Sequence, residues 1–185
     1  ASVTVANTLA ELCERIGADW SEIVPALQLD RRIGQYSYLK PGLGISGGNL
    51  ERDLATVERL AAEHKTDASV VQAWTKNSRH RKDWAARTIR SALLDSRPDA
   101  TIAVWGLAYK ENTHSIKNSP SIATIAQLKG IKVRAHDPSV SDDAIKHLGI
   151  ERVGDPLTAA RGADGLLILT PWPEYRAIKP ADIAG

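Results

Sequence analysis

Apolar positions 5, 9, 12, 13 and 16 recur at three and four residues, and Gly17 follows as a left-handed cap. The spacing predicts a helix from Val5 to Ile16 with that face in the core. Asp19-x-x-Glu22 has the form of a capping box and opens a second, short helix carrying Ile23, Val24 and Leu27; Pro25 lies inside it and its end falls near Leu29. Leu50, Leu54, Val57, Leu60 and Ala61 mark a third helix. From Asp67 to Leu94 there is no Gly or Pro, and Val70, Val71, Trp74, Arg81, Trp84, Ala85, Thr88, Ile89 and Ala92 keep helical spacing. That run predicts one helix of about 27 residues, roughly 40 Å long, enough to link two domains or line a dimer.

At Asp95-Ser96-Arg97-Pro98-Asp99 the period changes. Thr101–Trp105, Lys132–His136 and Gly165–Thr170 read as buried strands, with helices over Ser121–Lys129, Ser141–Leu148 and Pro156–Gly162 between them. The expected architecture is an all-α helical domain, residues 1–97, followed by a βαβαβ domain with a parallel sheet, residues 98–185.

Between the second and third helices lies Lys40-Pro41-Gly42-Leu43-Gly44-Ile45-Ser46-Gly47-Gly48-Asn49, where the glycines allow positive φ and close approach of a ligand. Gly42-x-Gly44-x-x-Gly47 matches a dinucleotide fingerprint, but no hydrophobic strand leads into it and no strand ending in an acid follows. It reads either as a plain glycine-rich turn or as a ligand-facing loop of another kind. In an open parallel sheet ligands lie beyond the strand carboxyl ends. There the loop from Gly106 to Thr113 carries Lys110, either an exposed lysine on a turn or a cation for a phosphate or sugar. Asp137-Pro138 ends the second strand, most simply as a turn.

Composition narrows the classes. The 185 residues are 43% apolar and 25% charged, and the net charge of +2 gives no basis for a nucleic-acid partner. Arg79-His80-Arg81-Lys82 reads first as a solvated helix face. The single Cys13 falls on an apolar stripe, a small hydrophobe rather than a nucleophile, and excludes a disulfide within the chain. No metal-ligand cluster is expected. No apolar run approaches the length of a membrane span and no leader is evident, which predicts a cytoplasmic protein without membrane contact. With no Met, the chain is expected to be a fragment.

Two separated stretches carry a resemblance. One runs from Leu12-Cys13-Glu14-Arg15-Ile16-Gly17-Ala18-Asp19 through Asp30-Arg31-Arg32-Ile33-Gly34 to Pro41-Gly42-Leu43-Gly44 and Arg52-Asp53-Leu54. The other joins Gly106-Leu107-Ala108-Tyr109-Lys110-Glu111-Asn112-Thr113 to Asn118-Ser119-Pro120-Ser121, Asp137-Pro138 and Leu167-Ile168-Leu169-Thr170-x-Trp172. In order and spacing they resemble the nucleotide-sugar dehydrogenases of the UDP-glucose/GDP-mannose type. The resemblance implies a central helical domain that dimerises and a C-terminal Rossmann-like domain that holds the sugar nucleotide, in a cytoplasmic oxidoreductase of polysaccharide biosynthesis. The NAD-binding domain of such enzymes falls outside the chain.

The same resemblance assigns residues. Asn49 stands where the family has a nucleophilic Cys, which would carry a thioester; an amide nitrogen is no nucleophile, though it can donate hydrogen bonds to an oxyanion. Asp53 matches the acidic residue beside that nucleophile. Arg32, Tyr38, Lys40, Gly44, Gly48 and Lys110 match substrate-binding positions, Arg32 reaching the neighbouring subunit's substrate, and Lys117 stands where a cofactor-contacting Arg is common. The implied function is NAD-dependent oxidation of the C6 hydroxyl of a UDP-, GDP- or TDP-linked sugar. A homologue making a single hydride transfer, or a non-catalytic binding or dimerisation module, are the alternatives.

Overall fold

The computed structural model describes residues 1–46 and 48–183. They divide into two compact units, Ala1–Ile45 with Asn49–Lys82, and Ser46–Gly48 with Asp83–Gly185. The described residues of the first unit form helices and loops: α1 (Ser2–Ile16), α2 (Trp20–Leu29), α3 (Asn49–His64) and α4 (Ser69–Lys82). α1 ends as expected, with Gly17 at φ 75° donating its N–H to the Cys13 carbonyl. Asp19 caps α2 by accepting from Ser21 N–H at 2.7 Å, and the helix continues through Pro25 to Leu29.

The expected inward face of α1 is corrected. Ala6, Asn7, Ala10 and Cys13 are buried, whereas Val5, Leu9, Leu12 and Ile16 stand between 38% and 67% exposed. Small side chains on the packed side let Trp20 and Leu39 seat against the helix, with Val24 and Leu27 alongside. Shape decides which face is buried here, because a close approach admits Ala and Cys but not Leu.

The single long helix is also corrected. α4 stops at Lys82, α5 (Trp84–Ile89) follows after Asp83, and residues Arg90–Leu94 form a π-turn. Asp83 has φ −85° and ψ −5°, and its carboxylate is taken up by Gln127 Nε2 at 2.8 Å. Ile89 and Leu94 both enter the core of the second unit. In a regular α-helix residues five apart diverge by about 140°; the wider turn brings them toward one side. Compactness therefore sets the boundary at Lys82/Asp83 instead of residue 97, because residues 84–94 pack with the sheet.

That sheet has four parallel strands in the order β3-β2-β1-β4: β1 (Thr101–Trp105), β2 (Lys132–His136), β3 (Glu151–Arg152) and β4 (Gly165–Ile168). Trp105 is level with His136 on one side and Ile168 on the other, so the carboxyl ends of the three longer strands form one edge. β1 is central and its Ile102, Ala103 and Val104 are wholly buried, as expected for a parallel strand covered on both faces. The connecting helices are α6 (Pro120–Gln127), α7 (Asp142–Ile145) with a 3-10 turn to Leu148, and α8 (Pro156–Ala160). α9 (Pro173–Arg176) and α10 (Pro180–Ile183) follow β4. This is an α/β, Rossmann-like arrangement. Among the described residues no helix is long and apolar enough to cross a membrane.

Candidate functional site

In the first unit the glycine-rich loop is held by three buried polar side chains. Gly42 donates its N–H to Asn7 Oδ1 at 2.8 Å and accepts at its carbonyl from Arg81 Nε at 2.9 Å. Ile45 N–H donates to Ser78 Oγ at 2.8 Å, and Trp20 Nε1 donates to the Leu39 carbonyl at 2.8 Å. Gly44 has φ 80°, and a Cβ there would lie 2.6 Å from the Ser78 carbonyl, so both conformation and space demand glycine. Arg81, read from sequence as part of a solvated face, is corrected: it is buried and faces Glu11 at 3.5 Å and Glu14 at 3.6 Å. Its charge is balanced while its Nε–H is used on the loop.

The loop delivers α3, whose first residue is the exposed Asn49. Asp53 follows one turn later, exposed and 3.7 Å from Arg52. Gly47, also part of the sequence motif, lies outside the described residues. Arg32 extends into solvent but is committed to Asp30, with Nε 3.0 and 3.2 Å from its two oxygens and Nη2 at 2.5 Å. That bond holds the Asp30 carboxyl below its ordinary range. Tyr38 and Lys40 are exposed on the approach to the loop.

In the second unit the site-bearing residues gather at the carboxyl edge of the sheet. Gly106 leaves β1 at φ 92°, where a Cβ would come within 2.4 Å of Thr170. The loop beyond it is closed by Tyr109 N–H to the Ser115 carbonyl at 3.0 Å. Lys110 is exposed with Nζ 5.6 Å from the Tyr109 ring centre, and Lys117 is exposed on the same loop. Gly48 (φ 93°) belongs to this unit, and a Cβ on it would be 3.3 Å from Asn118 Nδ2. Gly48, Lys110 and Lys117 thus share one unit, while Gly44, Asn49, Asp53, Arg32, Tyr38 and Lys40 share the other.

Beneath that edge Asp137 is wholly buried and accepts from backbone and indole N–H groups. Beside it Tyr175 Oη donates to the His136 carbonyl at 3.0 Å, lies 3.1 Å from His136 Nδ1, and its ring stacks on Trp105 at 5.1 Å. Burial lowers the His136 pKa, opposed by nearby Glu174, and raises that of Tyr175. Both side chains are therefore neutral at pH 7. No group of three or more His, Cys, Asp or Glu among the described residues could hold a metal ion.

Sequence reasoning missed Asn7, Ser78, Thr170 and the reach of Asp137. A polar Asn7 between Ala6 and Ala10 on the small-residue side of α1 was the available signal; Ser78 carries none.

Residues 1–79 match the model of the UDP-glucose/GDP-mannose dehydrogenase family, central domain, and residues 103–185 that of the same family's UDP binding domain. UDP-glucose 6-dehydrogenase of Rhizobium meliloti is 33% identical over 179 residues, 95% of this chain and 41% of that protein. The Bacillus subtilis UDP-glucose 6-dehydrogenase TuaD is 30% identical over 96% of this chain and 39% of its own length. The chain thus spans about two fifths of the length of these relatives. Among solved structures, a UDP-glucose dehydrogenase from Pyrobaculum islandicum superposes with a TM-score of 0.88 at 26% identity, covering 96% of this chain and 42% of that one. A UDP-D-ManNAc dehydrogenase from Pyrococcus horikoshii shares the fold, with a TM-score of 0.79 at 23% identity over 99% of this chain and 41% of its own.

Proposed function

Because the chain belongs to the UDP-glucose/GDP-mannose dehydrogenase family and carries its central and UDP-binding domains, we propose that it is part of an NAD-dependent dehydrogenase homologue acting on the C6 hydroxyl of a nucleotide-linked sugar. The observation that carries this reading is Lys110, an exposed cation beyond the carboxyl end of the central strand of a parallel sheet, where such folds receive nucleotides. Lys110 would meet the diphosphate or sugar. NAD, when bound, accepts the hydride; in this chain Lys117, exposed and cationic, suits its pyrophosphate, and the rest of its site lies in sequence outside the chain.

By the resemblance, Asn49 and Asp53 are the first unit's candidates for the chemistry at C6. With an amide at position 49 no acyl-enzyme can form there, so the reaction ends after one oxidation: C6 loses a hydride, its hydroxyl oxygen loses a proton, and the sugar nucleotide leaves as the aldehyde or its hydrate. The amide N–H groups can still polarise the carbonyl oxygen. The first unit is the dimerising part, and the exposed Val5, Leu9, Leu12 and Ile16 support that assignment. A non-catalytic sugar-nucleotide-binding module is the second reading, favoured by Asn49.

The test uses the full-length parent with NAD and UDP-glucose, GDP-mannose or a TDP-sugar. One NADH per sugar and an aldehyde product are expected. Two NADH and a carboxylate would overturn the role given to Asn49, and no NADH with retained sugar-nucleotide binding would favour the module. Calorimetry with Lys110→Ala tests the binding site separately, the expected outcome being a loss of affinity.

A further inference from the structure

We propose that Asp137 is the positioning residue of the nucleotide-sugar site, fixing the segment from which Lys110 emerges; this rests on the reading of the second unit given above. The sequence suggests only a turn, and one carboxylate oxygen serves that turn: Oδ1 accepts from Ser139 N–H at 2.8 Å and Val140 N–H at 2.9 Å. The other oxygen leaves the turn entirely. Oδ2 accepts from Leu107 N–H at 2.7 Å, Ala108 N–H at 3.0 Å and Trp172 Nε1–H at 3.2 Å. One buried carboxylate therefore joins the segments that follow β1, β2 and β4.

The carbonyls of the same two residues are held from other directions. Ser119 Oγ donates to the Leu107 carbonyl at 2.7 Å and Thr170 Oγ1 to the Ala108 carbonyl at 2.6 Å. All four backbone polar atoms of Leu107 and Ala108 are thus bonded to side chains of other segments, two residues before Lys110. A long, exposed lysine is a poor positioning device because its rotamers are free; its root must be fixed instead. The N–H groups around Asp137 depend on a full charge, since charge-assisted bonds are the stronger class. An amide in its place keeps the shape, offers one acceptor oxygen, and turns N–H against N–H.

The test compares Asp137→Asn with Val133→Ala, a β2 core truncation away from the loop, in the whole chain. Thermal unfolding, amide hydrogen exchange and calorimetric titration with UDP-glucose are measured on both. Asp137→Asn should raise exchange at residues 107–118 while the strands stay protected, and weaken UDP-glucose binding by about tenfold or more, the scale of one lost charge-assisted bond. Val133→Ala, destabilised through lost core volume, should keep affinity within about twofold, as expected of a site that does not couple to the ligand. Unchanged exchange at Leu107 and Ala108, or equal loss of affinity in the two variants, overturns the proposal. So does localised exchange with unaltered binding. Should Asp137→Asn fail to fold, Trp172→Phe removes one donor to Oδ2 and is expected to give the same pattern more weakly; affinity unchanged in it also overturns the proposal. If the unsubstituted chain binds no sugar nucleotide while exchange rises as stated, the nucleotide-sugar reading fails and the fixing of the loop by Asp137 stands.

Discussion

In the second unit the large apolar side chains of β1 and the turn after it are inside: Ile102, Val104, Trp105 and Leu107 are at most 1% exposed. In the first, Val5, Leu12, Ile16 and Leu50 stand at 49% to 67%. The first unit is instead organised by small residues and by buried polar side chains, Asn7, Ser78 and Arg81, which hold a loop rather than fill a core. Apolar content of a helix thus does not say whether its stripe packs within the chain. A unit of this kind gains from having its apolar face covered, whereas the central strand β1 is already covered on both of its faces.

The comparison can be broken most forcefully in the sheet. Ile102→Ala should cost about 2–5 kcal/mol, as large-to-small core changes do, while Leu12→Ala should change the stability of a single chain by less than about 0.5 kcal/mol. Urea unfolding of both variants measures the contrast, and equal losses would dissolve it. Next in size, Gly44→Ala should cost about 1–3 kcal/mol, since the loop anchor cannot admit a Cβ against the Ser78 carbonyl. Its unfolding midpoint should fall while the second unit's near-UV circular dichroism is retained.

Replacing Val5, Leu9, Leu12 and Ile16 together by Ser sharpens the comparison from the other side. Helix content should persist, while light scattering should show a dimeric mass fall to that of one chain. A monomer before substitution, or an unaltered dimer after it, removes the stripe from the interface. The smallest effect belongs to His136, whose pKa is lowered from 6.5 mainly by burial. Below 6.5 the unfolded chain binds this proton and the folded one does not, so stability is present above 6.5 and is lost as pH falls toward the folded value. Unfolding at stepped pH should show that slope, and His136→Gln should flatten it.

The parallel sheet was legible because β1 and β2 are short apolar runs bounded by turn residues, and Pro98 marks a change of period. β3 was not: Glu151-Arg152 has no apolar signal and is a strand only because β2 offers a parallel edge. The break at Asp83 was hidden for a similar reason, since its partner Gln127 lies 44 residues away. At the candidate site Lys110 could be found from its position after a strand. Asp137 was visible only as a turn residue, because the groups it binds come from segments remote in sequence. The inward face of α1 was misjudged for want of packing distance, which no hydropathy pattern encodes.

The bond between Tyr109 N–H and the Ser115 carbonyl closes a small ring of chain above the sheet. Its stem at Leu107 and Ala108 is held independently of what the ring contains. Residues 110–114 are consequently an exchangeable cartridge. Lengthening it costs little, because closure entropy grows only logarithmically with the number of residues. These positions can change in number and in kind while the sheet beneath keeps its sequence and its register.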